Sequence, residues 1–294
     1  MMRIGLFLAT NIAIMVVLAV VMQMFGLSGV LDAQGVDLDL NALLIISAVV
    51  GMTGSFFSLA LSKTMALKST GAKVISQPSN EVETWLVNIV KRQAEQAGIG
   101  MPDVAIYKSN DMNAFATGMK RNKALVAVST GLMDQMDRDQ VEAVLAHEVS
   151  HVANGDMITL TLIQGVVNTF VFFLSRVIGH VVDRVVFKVQ RGHGPAYWIT
   201  AIIAQIILGI LASAIVMWFS RYREFKADAG SANIVGKNKM ISALERLKRG
   251  ADDPHLPDQL EAFGISGGMK SGFAKLFMSH PPLDERIAAL RNIN

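Results

Sequence analysis

Four long apolar runs limit what this chain can fold into. They occupy residues 4–25, 42–61, 157–175 and 197–219. The first is broken by Thr10, Asn11 and Gln23, and the third is softened by Thr159, Thr161, Gln164, Asn168 and Thr169. A helix rises about 1.5 Å per residue, so about 20 apolar residues cross a hydrocarbon core of about 30 Å. Composition agrees: 52% of the 294 residues are hydrophobic and only 17% are charged, which is too apolar for an ordinary soluble enzyme. The first run competes with a cleavable signal peptide, but it is long for such a segment. No small-residue cleavage pattern follows Gly26, which favours a retained anchor.

Charge sets the orientation. The connector between the first two runs carries Asp32, Asp37 and Asp39 and no basic residue, whereas Lys63, Lys68 and Lys73 follow the second run. The positive-inside rule therefore puts the connector outside, and the N-terminus and the segment after Leu61 inside. Tyr197, Trp198 and Trp218 sit like interfacial belts on the fourth run. One connector fits poorly: Arg184, Lys188 and Arg191 land outside if runs three and four both cross. Either that pair crosses regardless or it packs as a hairpin without traversing; in both cases Ser220 returns to the side of His151. The net charge of +3 is accounted for by basic residues flanking spans, and no nucleic-acid partner is expected. With no cysteine, disulfides, thiolate metal sites and a cysteine nucleophile are excluded.

The remaining chain divides into a soluble stretch 63–156 between the two N-terminal spans (1–62) and an apolar hairpin (157–219), and a second soluble stretch 220–294. In the first, Asn80-Glu81 opens an amphipathic helix that ends before Gly98 and Gly100. Short strand-like runs follow at residues 104–107, 114–117 and 125–128. Asp137, with Gln140 three residues on, caps a further helix. In the second, helices are expected from Arg223, over 237–249 and after Pro282. The glycine-rich residues 264–272 read as a mobile lid or as an ordinary exposed loop.

The capped helix carries His147-Glu148-Val149-Ser150-His151, an H-E-x-x-H pattern. Residues four apart share a helix face, so His147 and His151 can grip one metal ion. Glu148 lies about 100° round the helix and can reach a water at that metal. The pattern points to metal-assisted hydrolysis, most often of peptide bonds. A catalytic zinc needs a third protein donor, and Glu224 is suitable. Asp228, one turn later on the same face, can accept a hydrogen bond from a ligand imidazole. Taken alone, Glu224 and Asp228 also read as a solvated carboxylate pair between Arg223 and Lys226. His180, His193 and His255 lie in connectors and are expected to be exposed without a role, and Arg176 reads as a charge snorkelling to the interface.

HEVSH followed by ANGD, an apolar hairpin, REFKADAGSA and SHPPLDERI resembles the HtpX-type heat-shock membrane metalloproteases of bacteria. These are relatives of the CAAX prenyl proteases within the gluzincin group. The resemblance extends over the N-terminal spans, the segment Asn113-Ala114-Phe115-Ala116-Thr117-Gly118 and residues 125–133. It implies a mainly α integral membrane protein with about four transmembrane or membrane-embedded helices and a cytosolic α+β zinc protease domain with a small sheet. One Zn2+ per chain is implied on His147, His151 and Glu224, with Glu148 as general base. His280 is the first candidate donor to the oxyanion, or else a turn histidine capping the last helix; Tyr222 and Arg286 are weaker candidates. The strand Leu125, Val126, Ala127, Val128 is expected either as an edge that pairs with extended substrate, helped by Asn113, or as an interior strand. The implied partners are misfolded or damaged membrane proteins and the lipid bilayer, in the bacterial inner membrane with the site facing the cytoplasm. A metal carrier or a catalytically silent scaffold are the competing readings. Ionisable groups are scarce within the spans, against the first, and Glu148 is intact, against the second.

Overall fold

The computed structural model describes Val20, residues 39–251 and residues 279–293. Apart from Val20, the first apolar run lies outside the described residues, as do the connector up to residue 38, His255 and residues 264–272. The described elements run α1 (Leu40–Thr70), β1 (Lys73–Val74), α2 (Glu81–Gln96), β2 (Asp103–Tyr107), β3 (Ala114–Thr117), β4 (Leu125–Ser129), α3 (Thr130–Gln135), α4 (Arg138–Asn154), α5 (Asp156–Val181), α6 (Pro195–Val235), α7 (Lys237–Ala251) and α8 (Leu283–Arg291). A π-helical turn (Val182–Val186) follows α5.

Among the described residues, three helical segments are long and apolar enough to cross a membrane: α1, α5 with its π turn, and α6. The protein is accordingly a mainly helical membrane protein with a small mixed sheet. α6 is one helix of 41 residues, although two were expected, because no proline interrupts it between the apolar run and Val235. Glu224 and Asp228 thus stand on the same helix as the fourth run.

The described residues divide into two compact units. The first comprises residues up to Phe57 and Thr161–Val216. Leu40 and Leu44 of α1 bury against Phe173 of α5. Its outer surface is apolar, with Ile45, Val49, Phe56, Ile199, Ile203, Ile206, Ile210 and Ile215 all exposed. In water such a surface would aggregate; lipid is its natural solvent. Arg176 of α5 lies 4.2 Å from the Phe172 ring centroid and reaches Gln205 Oε1 at 3.1 Å. His180 is buried rather than exposed, and its Nδ1 faces His193 Nε2 at 3.2 Å. This corrects the expectation for His180, whereas His193 is exposed as expected; the connector folds back, so the two residues, 13 apart in sequence, meet.

The second unit comprises Ser58–Leu160 and Met217 onward. Its sheet has the order β1-β2-β4-β3, with β2 and β4 parallel and the outer pairs antiparallel. Leu125, Val126, Ala127 and Val128 therefore form an interior strand, flanked on both sides and fully buried. The edge-strand reading of these residues is thus overturned. Their continuous apolar run is what a strand covered on both faces needs. Among the described residues the edges are β1 and, next to β4, the neighbouring segment β3. Ser129 N donates to Asn113 O at 2.9 Å, and the register pairs Phe115 with Ala127 and Thr117 with Leu125. Hydrogen-bonded pairs alternate along an antiparallel ladder, so the backbone N–H and C=O of Ala114 and Ala116 point away from β4 to the free edge.

Candidate metal centre

α4 starts where the sequence sets it. The Asp137 side chain accepts from Gln140 N at 2.8 Å, and Gln140 Oε1 accepts from Asp137 N at 3.2 Å, a reciprocal cap. Such caps contribute about 0.5–2 kcal/mol. The helix buries nearly all its length from Gln140 to Val152, against the sheet, α2 and α7. It ends at Gly155, whose left-handed φ of 69° turns the chain sharply. That turn brings Asp156, the first residue of α5, back beneath the motif.

α6 packs close to α4. A Cβ on Gly230 would lie 2.5 Å from Ser150 Oγ, so a glycine is required for this approach. Ser231 Oγ also donates to Ala143 O at 2.8 Å. The contact delivers Glu224, itself fully buried, to the two histidines. His147 Nε2 is 3.4 Å from Glu224 Oε2, and His151 Nε2 is 3.3 Å from Glu224 Oε1. The two Nε2 atoms stand 3.1 Å apart. Among the described residues, this is the one group of three ligand side chains whose donor atoms converge, all within 4.8 Å.

The outer nitrogens are held from behind. Asp228 Oδ1 lies 2.9 Å from His147 Nδ1, an ion-pair contact that is not well aligned as a hydrogen bond. Asp156 Oδ2 lies 2.7 Å from His151 Nδ1 and is hydrogen-bonded to it. Carboxylates in these positions fix the tautomer that leaves Nε2 free to bind metal. Arg286 of α8, also buried, donates from Nε and Nη2 to the two oxygens of Asp228 at 2.8 and 2.6 Å. Its Nη1 is 3.5 Å from Glu224 Oε2. Burial opposes the Arg286 charge, but Asp228, then Glu224 and Glu148, outweigh it and raise its pKa. His280 Nδ1 stands 2.9 Å from Glu224 Oε2, at the ligand carboxylate. Tyr222 is half exposed and stacks on Trp218, 6.3 Å between centroids.

These residues suit a divalent cation. Both Glu224 oxygens are buried and accept no aligned hydrogen bond among the described residues, although three imidazoles surround them. Burial alone would keep His147 neutral, yet Asp228 and Glu224 overcome it and raise its pKa to about 9. Burial likewise opposes charge on His151, and Asp156 and Glu224 reverse the direction. A site this rich in negative potential holds either protons or a metal ion.

Asp156 has no role in the sequence pattern; an acidic residue immediately after the helix-ending glycine is the signal that points to it. Arg286, a weaker oxyanion candidate by sequence, has its guanidinium set on Asp228 instead.

Residues 80–294 match the model of peptidase family M48. The chain is 65% identical to the protease HtpX of Alkalilimnicola ehrlichii over 295 residues, covering 99% of this chain and 98% of that one. It is 64% identical to the protease HtpX homolog of Nitrosomonas europaea, covering 99% of each. Among solved structures, the Ste24p of S. mikatae shares the fold, with a TM-score of 0.62 at 16% identity, covering 95% of this chain and 67% of that one. A metal-binding group on a helical membrane protein and this kinship lead to one conclusion: the chain belongs to peptidase family M48 and is a membrane metalloprotease.

Proposed function

We propose that this protein is a zinc-dependent endopeptidase that cuts misfolded or damaged membrane proteins at the cytoplasmic face of the bacterial inner membrane. The observation that carries the chemistry is the convergence of His147, His151 and Glu224, with Glu148 next to His147 on the same helix. Zinc is the metal that an H-E-x-x-H histidine pair with a third carboxylate takes in hydrolytic sites. Residues 63–156 and 220–294 form the protease in this reading, and 1–62 and 157–219 anchor it.

When bound, zinc polarises the scissile carbonyl and lowers the pKa of the attacking water towards about 7. Glu148 accepts the proton of that water on its carboxylate and then gives it to the leaving amine nitrogen. Asp228 and Asp156 keep the imidazoles of His147 and His151 oriented throughout. Arg286 neutralises the buried carboxylates that would otherwise repel each other. His280, whose Nδ1 lies 2.9 Å from Glu224 Oε2, offers its other ring nitrogen to the developing oxyanion.

Substrate joins as an extended strand on β3. The outward N–H and C=O groups of Ala114 and Ala116 bind its backbone, with Asn113 at the start of the edge. Backbone pairing of this kind accepts many sequences, which suits a quality-control protease. The cytoplasmic orientation rests on the basic residues Lys63, Lys68 and Lys73 that follow the second apolar run.

The test compares wild type with Glu148→Gln at equal zinc content, using an unfolded membrane protein as substrate. The variant should keep its zinc and lose about 100- to 10,000-fold in kcat. Equal cleavage by both, or none by the zinc-loaded wild type, would sink the reading.

A further inference from the structure

The end of α5 and the connector just before α6 carry a second pair of histidines that hydrolysis does not use. His180 Nδ1 lies 3.2 Å from His193 Nε2, and the rings meet at 75° with centroids 5.1 Å apart. At the metal centre, His147 and His151 stand in nearly the same relation, 3.1 Å between nitrogens and 86° between rings. Two nitrogens at this spacing match two metal bonds of about 2.0–2.1 Å that meet at about 100°.

A carboxylate nearby supplies an independent indication. Asp183 is only 1% exposed. Its Oδ2 accepts from Gly194 N at 2.9 Å, while its buried Oδ1 accepts no hydrogen bond among the described residues. Burying an anionic oxygen without compensation is expensive, and a cation beside it removes the cost. The backbone contributes as well. The π-helical turn Val182–Val186 begins two residues after His180 and sets Asp183 against Gly194, the neighbour of His193. Such wide turns recur at functional sites. The His193 ring is held against Tyr197, 4.0 Å between centroids.

We infer that His180 and His193 together bind a divalent transition-metal ion, with Asp183 balancing its charge and water completing the coordination. Imidazole donors suit zinc, nickel and copper, and the general order of affinities makes Cu2+ the tightest. On binding, the imidazole that donates between the two rings shifts its proton to its other nitrogen, so both facing nitrogens offer lone pairs and no proton is released. Three-ligand convergence among the described residues occurs only at His147, His151 and Glu224. The second site is therefore weaker and exchangeable, and with no general base at the position Glu148 holds it is not hydrolytic. It stands independently of the peptidase reading.

Untagged full-length protein carrying one equivalent of zinc, in detergent micelles, provides the test. It is titrated with Cu2+, followed by electron paramagnetic resonance, and its metals are counted at equilibrium with a known free Cu2+ concentration. The expected result is one further equivalent of copper with imidazole nitrogen hyperfine structure and the zinc retained. His193→Ala and His180→Gln each remove that equivalent, and Asp183→Asn weakens it about 10- to 100-fold. Thermal unfolding and peptide hydrolysis, measured on each variant, separate loss of the site from loss of the fold; should His180→Gln not fold, His193→Ala decides. Copper that merely displaces zinc, leaving one metal per chain, overturns the inference. So does a second equivalent that survives in the folded histidine variants.

Discussion

The two histidine pairs differ in what surrounds them more than in how their rings meet. His147 and His151 lie four apart on α4, and a third donor, Glu224, reaches both within 3.4 Å. Asp228 and Asp156 stand behind them, and Glu148 is the next residue along. His180 and His193 come from a helix end and its return, cushioned by Tyr197 and Trp198, with Asp183 offset towards Gly194. A pair of imidazoles at this spacing presents two donors to a metal ion. Retaining it tightly takes the added carboxylate, and turning it to hydrolysis takes a base beside it.

Removing the third donor should have the largest effect and erase the difference between the pairs. Glu224→Ala leaves two imidazoles with no carboxylate between them, the condition of His180 and His193. We expect the variant to lose its metal on dialysis and its peptide hydrolysis to fall to background. Metal analysis alongside a peptide assay checks this. A Glu224→Ala protein that holds zinc as wild type does would mean that the convergence is fortuitous.

Weakening the supporting carboxylates should have an intermediate effect. Asp156→Asn and Asp228→Asn preserve shape while removing the charge behind His151 and His147. Each should lower zinc affinity about 10- to 100-fold, measured by competition with a chelating dye. Asp228→Asn also leaves the buried Arg286 short of its main counter-charge. It should therefore lose more thermal stability than Asp156→Asn. Equal melting temperatures would show that Arg286 draws enough compensation from Glu224 and Glu148.

The local parts of this arrangement were legible in the sequence. The capping pair Asp137 and Gln140, the four-residue spacing of the histidines and the same spacing of Glu224 and Asp228 depend on helix periodicity alone. The three strand runs at residues 104–107, 114–117 and 125–128 also lie where short apolar runs between turn residues put them. Strand order was not legible, because a buried apolar run such as Leu125–Ser129 looks alike at an edge and in the middle until its neighbours are known. Asp156 acts through a left-handed turn, Arg286 through a contact 58 residues away in sequence, and His180 with His193 through a returning connector. Each depends on tertiary closure, to which no sequence period corresponds.

A smaller effect distinguishes the pairs by access rather than by ligands, since packing against α4 gives the first pair a free strand edge nearby. Ala116→Pro removes one outward N–H from β3. Its ladder partners are undisturbed, because edge strands tolerate proline where the N–H faces away from the sheet. One hydrogen bond contributes about 0.5–1.5 kcal/mol net, so KM should rise about 2- to 12-fold, with kcat and zinc content held. Phe115→Pro is the control: its N–H pairs inward with Ala127, so the sheet and not KM alone should suffer. If Ala116→Pro leaves KM unchanged on a long unfolded substrate while Phe115→Pro unfolds the protein, β3 is a structural edge only. The first pair would then differ from the second by its carboxylates alone.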